Sequence, residues 1–211
     1  MVVASASTFA GHSASYRTMK AVRTTLDDAF VLEYPVHLDS RGFFVRVLDR
    51  ELLANEIGFD SRTIVQESQS RSRAGVLRGL HGRKHLSEAK LVRCAHGRIR
   101  DVIVDMRPWS GTFMSWEAFI LDDETHRQVF LPAGFAHGFE VLSDTADIHY
   151  RMDAPYAPEL DYAVRYDDAD LGVSWLTEDP EISERDRAAI AFAEARAQLM
   201  TWYGQQRPTT T

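Results

Sequence analysis

The chain has 211 residues, 45% of them hydrophobic and 26% charged, a composition typical of one globular domain. Its 24 Lys and Arg residues against 31 Asp and Glu residues give a net charge of −7, which argues against nonspecific binding to nucleic acid or to an anionic membrane. Cys94 is the only cysteine, so an intramolecular disulfide is excluded. No apolar run approaches the roughly 20 residues of a membrane helix, and the amino terminus lacks a secretory-signal pattern, so we expect a cytoplasmic protein.

Residues 1–18 are small, Ser/Ala-rich and aperiodic, and we interpret them as a loosely ordered extension. From residue 19 to residue 211, short apolar segments alternate with Gly, Pro, Asp and Ser, which predicts one domain with many strands. The predicted strands are Phe30–His37, Phe43–Leu48, Ile64–Gln66, Val76–His81, Lys90–Ala95, Ile99–Met106, Phe113–Leu121, Gln128–Leu131, Gly138–Leu142, Ile148–Met152 and Ala163–Tyr166. The predicted helices are Arg50–Ile57 and a longer one that has Ser183 as its N-cap and ends near Trp202. This order is typical of a mainly β protein, an antiparallel sandwich or barrel with a short helix after the first strands and a C-terminal helix.

Strand alternation places several polar side chains on otherwise apolar faces: Lys90, Asp101, Asp105 and Tyr150. Such groups are costly to bury unless they are paired or functional, so each is a candidate site residue. The alternative is that these strands line a partly open end of a barrel, where the polar side chains face water.

Two histidines stand in motifs that carry chemistry. The segment PAGFAH, which ends at His137, resembles the second histidine motif of a cupin, a small jelly-roll barrel. The first cupin motif would need His-x-His, but the chain reads His81-Gly82-Arg83, so a three-histidine metal site fails. A site of two histidines and one carboxylate, made by His81, Glu88 and His137, is the alternative that would indicate a metal-dependent oxygenase.

The motifs taken in order resemble a known enzyme family. GVLRGLH (75–81) is followed by AKLVRC, by G-x-I-x-D-V-x-V-D-x-R, by PAGFAHGF, by Tyr-x5-Tyr-x-Pro and by Ser-x-Arg-Asp, and DSRGFF (39–44) precedes them all. This set resembles the dTDP-4-dehydrorhamnose 3,5-epimerase family over nearly the whole chain. The resemblance implies a cupin-like antiparallel jelly-roll barrel that uses no metal or other cofactor. It also implies a homodimer that acts on a dTDP-linked 4-keto-6-deoxy sugar.

The resemblance implies a role for each matching residue. His81 would be the base, oriented by Asp186, while Lys90 would stabilise an enolate oxygen and Tyr150 would return a proton to the opposite sugar face. Proton abstraction next to a ketone needs these three functions: a base, an acid and a cation. The substrate-binding residues that the resemblance implies are Arg41 and Arg78 for the diphosphate, Gln66 and Ser68 for the base or deoxyribose, Tyr156 for stacking on thymine, and Asp101 and His137 as supporting polar groups.

The chain departs from the family pattern around the nucleotide-sugar. Arg46 stands where the family usually has a glutamate, and Ser68 where it usually has an asparagine. Gly82 follows the catalytic histidine where the family usually has an aromatic residue, and the usual Pro-rich loop is missing from the segment 81–87. These departures leave open whether C3, C5 or both carbons are inverted. A further alternative is a nucleotide-sugar binding module without turnover.

Overall fold

The computed structural model describes residues 19–204, and this part of the chain is mainly β. Its strands are β1 (Lys20–Arg23), β2 (Phe30–Glu33), β3 (Val36–Asp39), β4 (Gly42–Val45), β5 (Gln66–Arg73), β6 (Leu77–Arg83), β7 (Lys90–His96), β8 (Arg98–Asp105), β9 (Trp116–Asp122), β10 (Gln128–Leu131), β11 (Phe135–Val141), β12 (Thr145–Met152) and β13 (Asp161–Ala163). Its helices are α1 (Arg50–Ile57), α2 (Glu184–Arg187) and α3 (Phe192–Tyr203), with 3-10 turns at Ser61–Thr63 and Pro158–Leu160. The predicted extension, residues 1–18, lies outside the described residues. Within residues 19–204, none of the helices is long and apolar enough to cross a membrane.

Two antiparallel sheets enclose the main core. One sheet has the strand order β1-β2-β10-β7-β12-β5, and the other has the order β13-β6-β11-β8-β9. The inward-facing side chains that pack between them include Val92, Cys94, Ile99, Ile103, Phe139 and Ile148. Strands β3 and β4 form a separate two-stranded hairpin. The arrangement confirms the predicted mainly β, antiparallel jelly-roll architecture with a short helix after the first strands and a C-terminal helix.

Helix α1 covers the outer face of the six-stranded sheet. It begins because the Asp49 side chain accepts a hydrogen bond from the backbone N–H of Leu52, and it ends at Gly58, which has a left-handed φ of 69°. Its buried residue Leu53 belongs to a second cluster that includes Leu91 of β7 and aromatic side chains of the same sheet. Burial of this stripe fixes the helix on the sheet.

Strand β5 differs from the prediction. The sequence predicted only Ile64–Gln66, whereas the strand spans Gln66–Arg73 and reads QESQSRSR. No apolar alternation reveals this segment, because it pairs with β12 along its whole length through backbone hydrogen bonds and lies at the edge of its sheet. Its side chains therefore need not contribute an apolar face.

Two predicted elements are interrupted. The predicted strand Phe30–His37 is divided between β2 and β3, because Pro35 lacks the N–H that a strand ladder needs. The predicted C-terminal helix is divided between α2 and α3, because the intervening Ile190 exchanges backbone hydrogen bonds with the chain around Val164. The predicted N-cap is confirmed, since the Ser183 hydroxyl accepts from the N–H of Asp186.

Candidate active site

The two motif histidines lie side by side because two glycines let their strands approach closely. A Cβ atom at Gly79 would lie 2.5 Å from the Cα of Gly138, and Gly79 has a φ of +136° that other residues rarely adopt. The antiparallel strands β6 and β11 therefore lie in close contact, with a register irregularity just after His137. In this register His137 is the direct cross-strand partner of His81.

His81 forms a short pair with Asp186, which comes from the C-terminal segment. The His81 Nε2 and Asp186 Oδ1 atoms are 2.6 Å apart, and the carboxylate is buried while the imidazole is 33% exposed. Burial alone would raise the pKa of Asp186, but hydrogen bonds from His81, Ser183 and the N–H of Gly79 outweigh it and lower the pKa. The ionised carboxylate thus holds Nε2 and leaves Nδ1 as the ring nitrogen that can accept a proton.

A second carboxylate–imidazole pair lies deeper. His137 Nε2 and Asp101 Oδ1 are also 2.6 Å apart, but both side chains are almost fully buried. The other Asp101 oxygen is buried without a hydrogen-bond partner among the described residues. The His137 ring meets the Tyr150 ring edge-on, with the ring centroids 6.2 Å apart, so this pair supports the Tyr150 side chain from behind.

Tyr150 packs against the core between the sheets, and its hydroxyl lies 3.1 Å from the Ser70 hydroxyl. Burial raises its pKa to about 12, although the Ser70 hydrogen bond opposes the shift. Tyr150 is therefore a protonated phenol at neutral pH and can act as an acid. Sequence analysis missed Ser70 because it lies in β5, whose extent was not predicted.

Lys90 opens strand β7, and its ammonium is paired. Its Nζ lies 2.8 Å from Glu88 Oε1, and Glu88 Oε2 accepts a hydrogen bond of 2.7 Å from Arg83 Nη1. Glu88, proposed above only as a metal ligand, is thus the counterion of two cations. Asp105, the remaining polar residue singled out by strand alternation, binds Arg107 and orders the loop after β8 instead.

The geometry does not favour the metal-dependent alternative. Glu88 is engaged by Lys90 and Arg83, while His81 and His137 are each engaged by a carboxylate. Among residues 19–204, no group of three or more His, Cys, Asp and Glu side chains is arranged to hold a metal ion.

The proposed substrate-binding residues divide into two groups. Gln66 donates to the hydroxyl of Ser68 at the start of β5, and Arg78 of β6 donates to the hydroxyl of Ser72 near the end of β5, so Arg78 links the two sheets. A cavity of about 360 Å³ at this side is lined by residues that include Arg78, His81 and Asp186. Of the other four proposed residues, Asp101 and His137 form the buried pair described above. Arg41 on the β3–β4 hairpin and Tyr156 in the connection between β12 and β13 are exposed.

A sequence model of the dTDP-4-dehydrorhamnose 3,5-epimerase family matches residues 23–194. The dTDP-4-dehydrorhamnose 3,5-epimerase of Methanothermobacter thermautotrophicus is 41% identical over 169 residues, which cover 79% of this chain and 90% of that protein. The crystal structure of a dTDP-6-deoxy-D-glucose-3,5-epimerase from Legionella pneumophila in complex with dTDP-4-keto-L-rhamnose is similar with a TM-score of 0.82 and 37% identity, covering 86% of this chain and 97% of that one. The 3'-monoepimerase ChmJ of Streptomyces bikiniensis, in complex with dTDP-quinovose, is similar with a TM-score of 0.79 and 32% identity, covering 85% of this chain and 91% of that one. This chain therefore belongs to the dTDP-4-dehydrorhamnose 3,5-epimerase family.

Proposed function

We propose that this epimerase acts on a dTDP-linked 4-keto-6-deoxyhexose and inverts C3, C5 or both by proton transfer next to the 4-keto group. The observation that carries the proposal is the His81–Asp186 pair, in which a partly exposed imidazole at the edge of a cavity is held by a buried carboxylate. A base of this kind can reach a bound sugar, and its partner stabilises the imidazolium that forms. Lys90 and Tyr150 supply the other two functions that the chemistry requires.

In the proposed reaction His81 takes the proton from the carbon next to the ketone, and the C–H bonding pair moves into an enolate. Asp186 stabilises the imidazolium, and the ammonium of Lys90 balances the negative charge on the enolate oxygen. Tyr150 then gives its phenolic proton to the opposite face, which forms the new C–H bond and inverts the carbon. Proton exchange with solvent returns His81 and Tyr150 to their starting forms. The reaction written in this way requires no cofactor.

The nucleotide part of the substrate has its own proposed contacts. The guanidinium of Arg78, held by Ser72 at 3.0 Å, matches the charge and fork geometry of a diphosphate. The exposed ring of Tyr156 is a platform on which a flat pyrimidine can stack. Gln66 and Ser68 present amide and hydroxyl groups for the base or the deoxyribose.

We also propose that the protein is a homodimer. Large apolar side chains of the β3–β4 hairpin are exposed, namely Leu38, Phe43 and Phe44. Exposed apolar patches of this kind mark interaction surfaces. Arg41 lies on the same hairpin, so its proposed contact with the diphosphate depends on where the dimer places that hairpin. The cytoplasmic location stays a prediction from the sequence.

The test is incubation with dTDP-4-keto-6-deoxyglucose in deuterated water, followed by NMR of the recovered sugar. Deuterium at C3 alone indicates a 3-epimerase, and deuterium at C3 and C5 indicates a 3,5-epimerase. Deuterium at neither carbon, from folded protein that binds dTDP, would contradict the proposal and leave a binding module.

A further inference from the structure

A chain of paired charges, most of them buried, begins at Lys90. Glu88 uses one carboxylate oxygen for Lys90 and the other for Arg83. The Glu88 and Arg83 side chains are only 6% and 7% exposed. Breaking a buried pair of this kind leaves an uncompensated charge, so its members hold one another in a defined geometry.

The far end of this chain reaches the segment that carries Tyr156. Arg83 Nη2 donates to the backbone oxygen of Pro155 at 2.9 Å, one residue before Tyr156. The same segment is attached a second time, because the N–H of Ala89 donates to Asp153 Oδ1 at 2.7 Å. Burial raises the pKa of Asp153, and the neighbouring Glu88 carboxylate adds to the rise. The entry to β7 and the Tyr156 segment are thus fastened to each other.

The arrangement suits a cation that must act on an enolate. An ammonium has three N–H donors, and Glu88 engages one of them, so two remain for a substrate oxygen. Because Glu88 is shared with Arg83, its carboxylate does not neutralise Lys90 alone. Arg83 lies in the segment 81–87, where the sequence departs from the family pattern.

We propose that Glu88 and Arg83 are positioning residues: Glu88 aims the ammonium of Lys90 at the enolate oxygen, and Arg83 ties that carboxylate to the segment carrying Tyr156. The inference rests on the proposed function, because it gives Lys90 and Tyr156 the roles assigned there. As a consequence, the Glu88 carboxylate fixes the position of the Lys90 ammonium relative to the segment that carries Tyr156.

The first experiment separates catalysis from binding. Glu88→Gln keeps the size and a hydrogen-bond acceptor but removes the charge, so kcat should fall by about 10-fold to 100-fold, as for a displaced catalytic group, with the Kd for dTDP unchanged within about twofold. Arg83→Met should also weaken dTDP binding, by about threefold to tenfold, through the Tyr156 segment. The matched control is Asp167→Asn, which removes a carboxylate from the exposed pair with Arg165 and should leave both values unchanged. Wild-type kcat in Glu88→Gln would overturn the inference.

A double-variant cycle distinguishes positioning from a merely structural role. If Glu88 acts through Lys90, adding Glu88→Gln to Lys90→Met should not lower the deuterium-exchange rate further. A further loss equal to that of the single variant would overturn the inference. Full activity of Lys90→Met would instead contradict the role of Lys90 in the proposed function, and the inference would fall with it. If Glu88→Gln does not fold, Glu88→Asp takes its place, and its withdrawn carboxylate must still lower kcat.

Discussion

His81 and His137 lie on neighbouring strands, and each is paired with a carboxylate at the same distance. The exposure of the imidazole distinguishes the two pairs. Both nitrogen–oxygen distances are 2.6 Å, but the His81 side chain is 33% exposed and the His137 side chain is 8% exposed. A general base must come within hydrogen-bond distance of the proton it removes. His81 meets this requirement at the cavity, whereas His137 is enclosed by Asp101 and Tyr150.

This difference predicts the outcome of His81→Asn. Because every deprotonation needs the base, exchange of deuterium into the sugar should fall by about 10²-fold to 10⁴-fold at each labile carbon. NMR in deuterated water measures the exchange, and circular dichroism checks the fold. The control is His96→Asn, which changes an exposed histidine paired with Asp123 and should exchange normally. Near wild-type exchange by the His81 variant would rule out the assignment.

The raised pKa of Tyr150 predicts how inversion depends on pH. With a pKa of about 12, the phenol keeps its proton well above neutral pH. The ratio of inverted product to total exchange should therefore stay constant from about pH 7 to about pH 10, because the acid remains loaded. Tyr150→Phe should show exchange with little inversion at every pH in this range. A ratio that declines with a midpoint below about pH 10, or full inversion by Tyr150→Phe, would assign the acid to another group.

The lowered pKa of Asp186 predicts an effect on acid stability. The unfolded-state pKa of an aspartate is about 3.9, and the folded-state pKa of Asp186 is lower. The stability from this shift is present above the unfolded-state value and is lost as the pH falls through the folded-state value. The difference in unfolding free energy between the wild type and Asp186→Asn should thus shrink as the pH falls below about 4. Urea titrations at each pH measure it, and a constant difference down to about pH 3 would contradict the prediction.

At the scale of elements, strand β6 contacts helix α3 beside Gly82, where two tyrosine side chains pack and form hydrogen bonds. The Tyr162 ring lies where a Cβ at Gly82 would be, and its hydroxyl pairs with that of Tyr203 at 2.9 Å. The Tyr203 hydroxyl also donates to the backbone oxygen of Arg83 at 3.1 Å. The absence of a side chain at Gly82 thus makes room for aromatic rings from β13 and α3.

Gly82→Ala should therefore destabilise the fold. The added methyl group overlaps the Tyr162 ring, and overpacking of a core of this kind typically costs about 1–3 kcal/mol. The expected result is a lower Tm in thermal denaturation. Gly111→Ala is the control, since its Cβ would come no closer than 3.4 Å to the flexible end of Asp27 and should change the Tm little. An unchanged Tm in Gly82→Ala would mean that Tyr162 moves aside at no cost.

Strand alternation indicated those parts of the candidate site that lie on apolar strands. It singled out Lys90, Asp101 and Tyr150, and also Asp105, which binds Arg107 instead, because a polar group on an apolar face stands out. It did not reveal Ser70, since every residue around it in β5 is polar and the strand forms by pairing with β12. Nor did it reveal the role of Glu88, because its partners come from the strands on either side of a loop.

At the scale of the whole molecule, the β3–β4 hairpin stands apart from the two main sheets. It forms a sheet of two strands, and a hairpin of that size is marginally stable unless another surface packs on it. Phe43 contacts His126 of the same chain, with the ring centroids 4.4 Å apart. Leu38 and Phe44 are nevertheless 80% and 65% exposed. In the proposed homodimer, a second copy of the chain covers these side chains.

The double variant Leu38→Ser/Phe44→Ser should therefore weaken the dimer. Burial of each Leu or Phe side chain contributes about 1.5–3 kcal/mol, so loss of both from each subunit should shift a micromolar sample toward the monomer. Light scattering after size-exclusion chromatography measures the mass, and circular dichroism checks that the two main sheets remain folded. The control is Met200→Ser on α3, which removes a side chain that is 60% exposed and should leave the mass unaltered. A monomeric wild type would contradict the proposed homodimer. A double variant that stays dimeric would place the contact between subunits elsewhere and remove the support for Arg41 at the diphosphate.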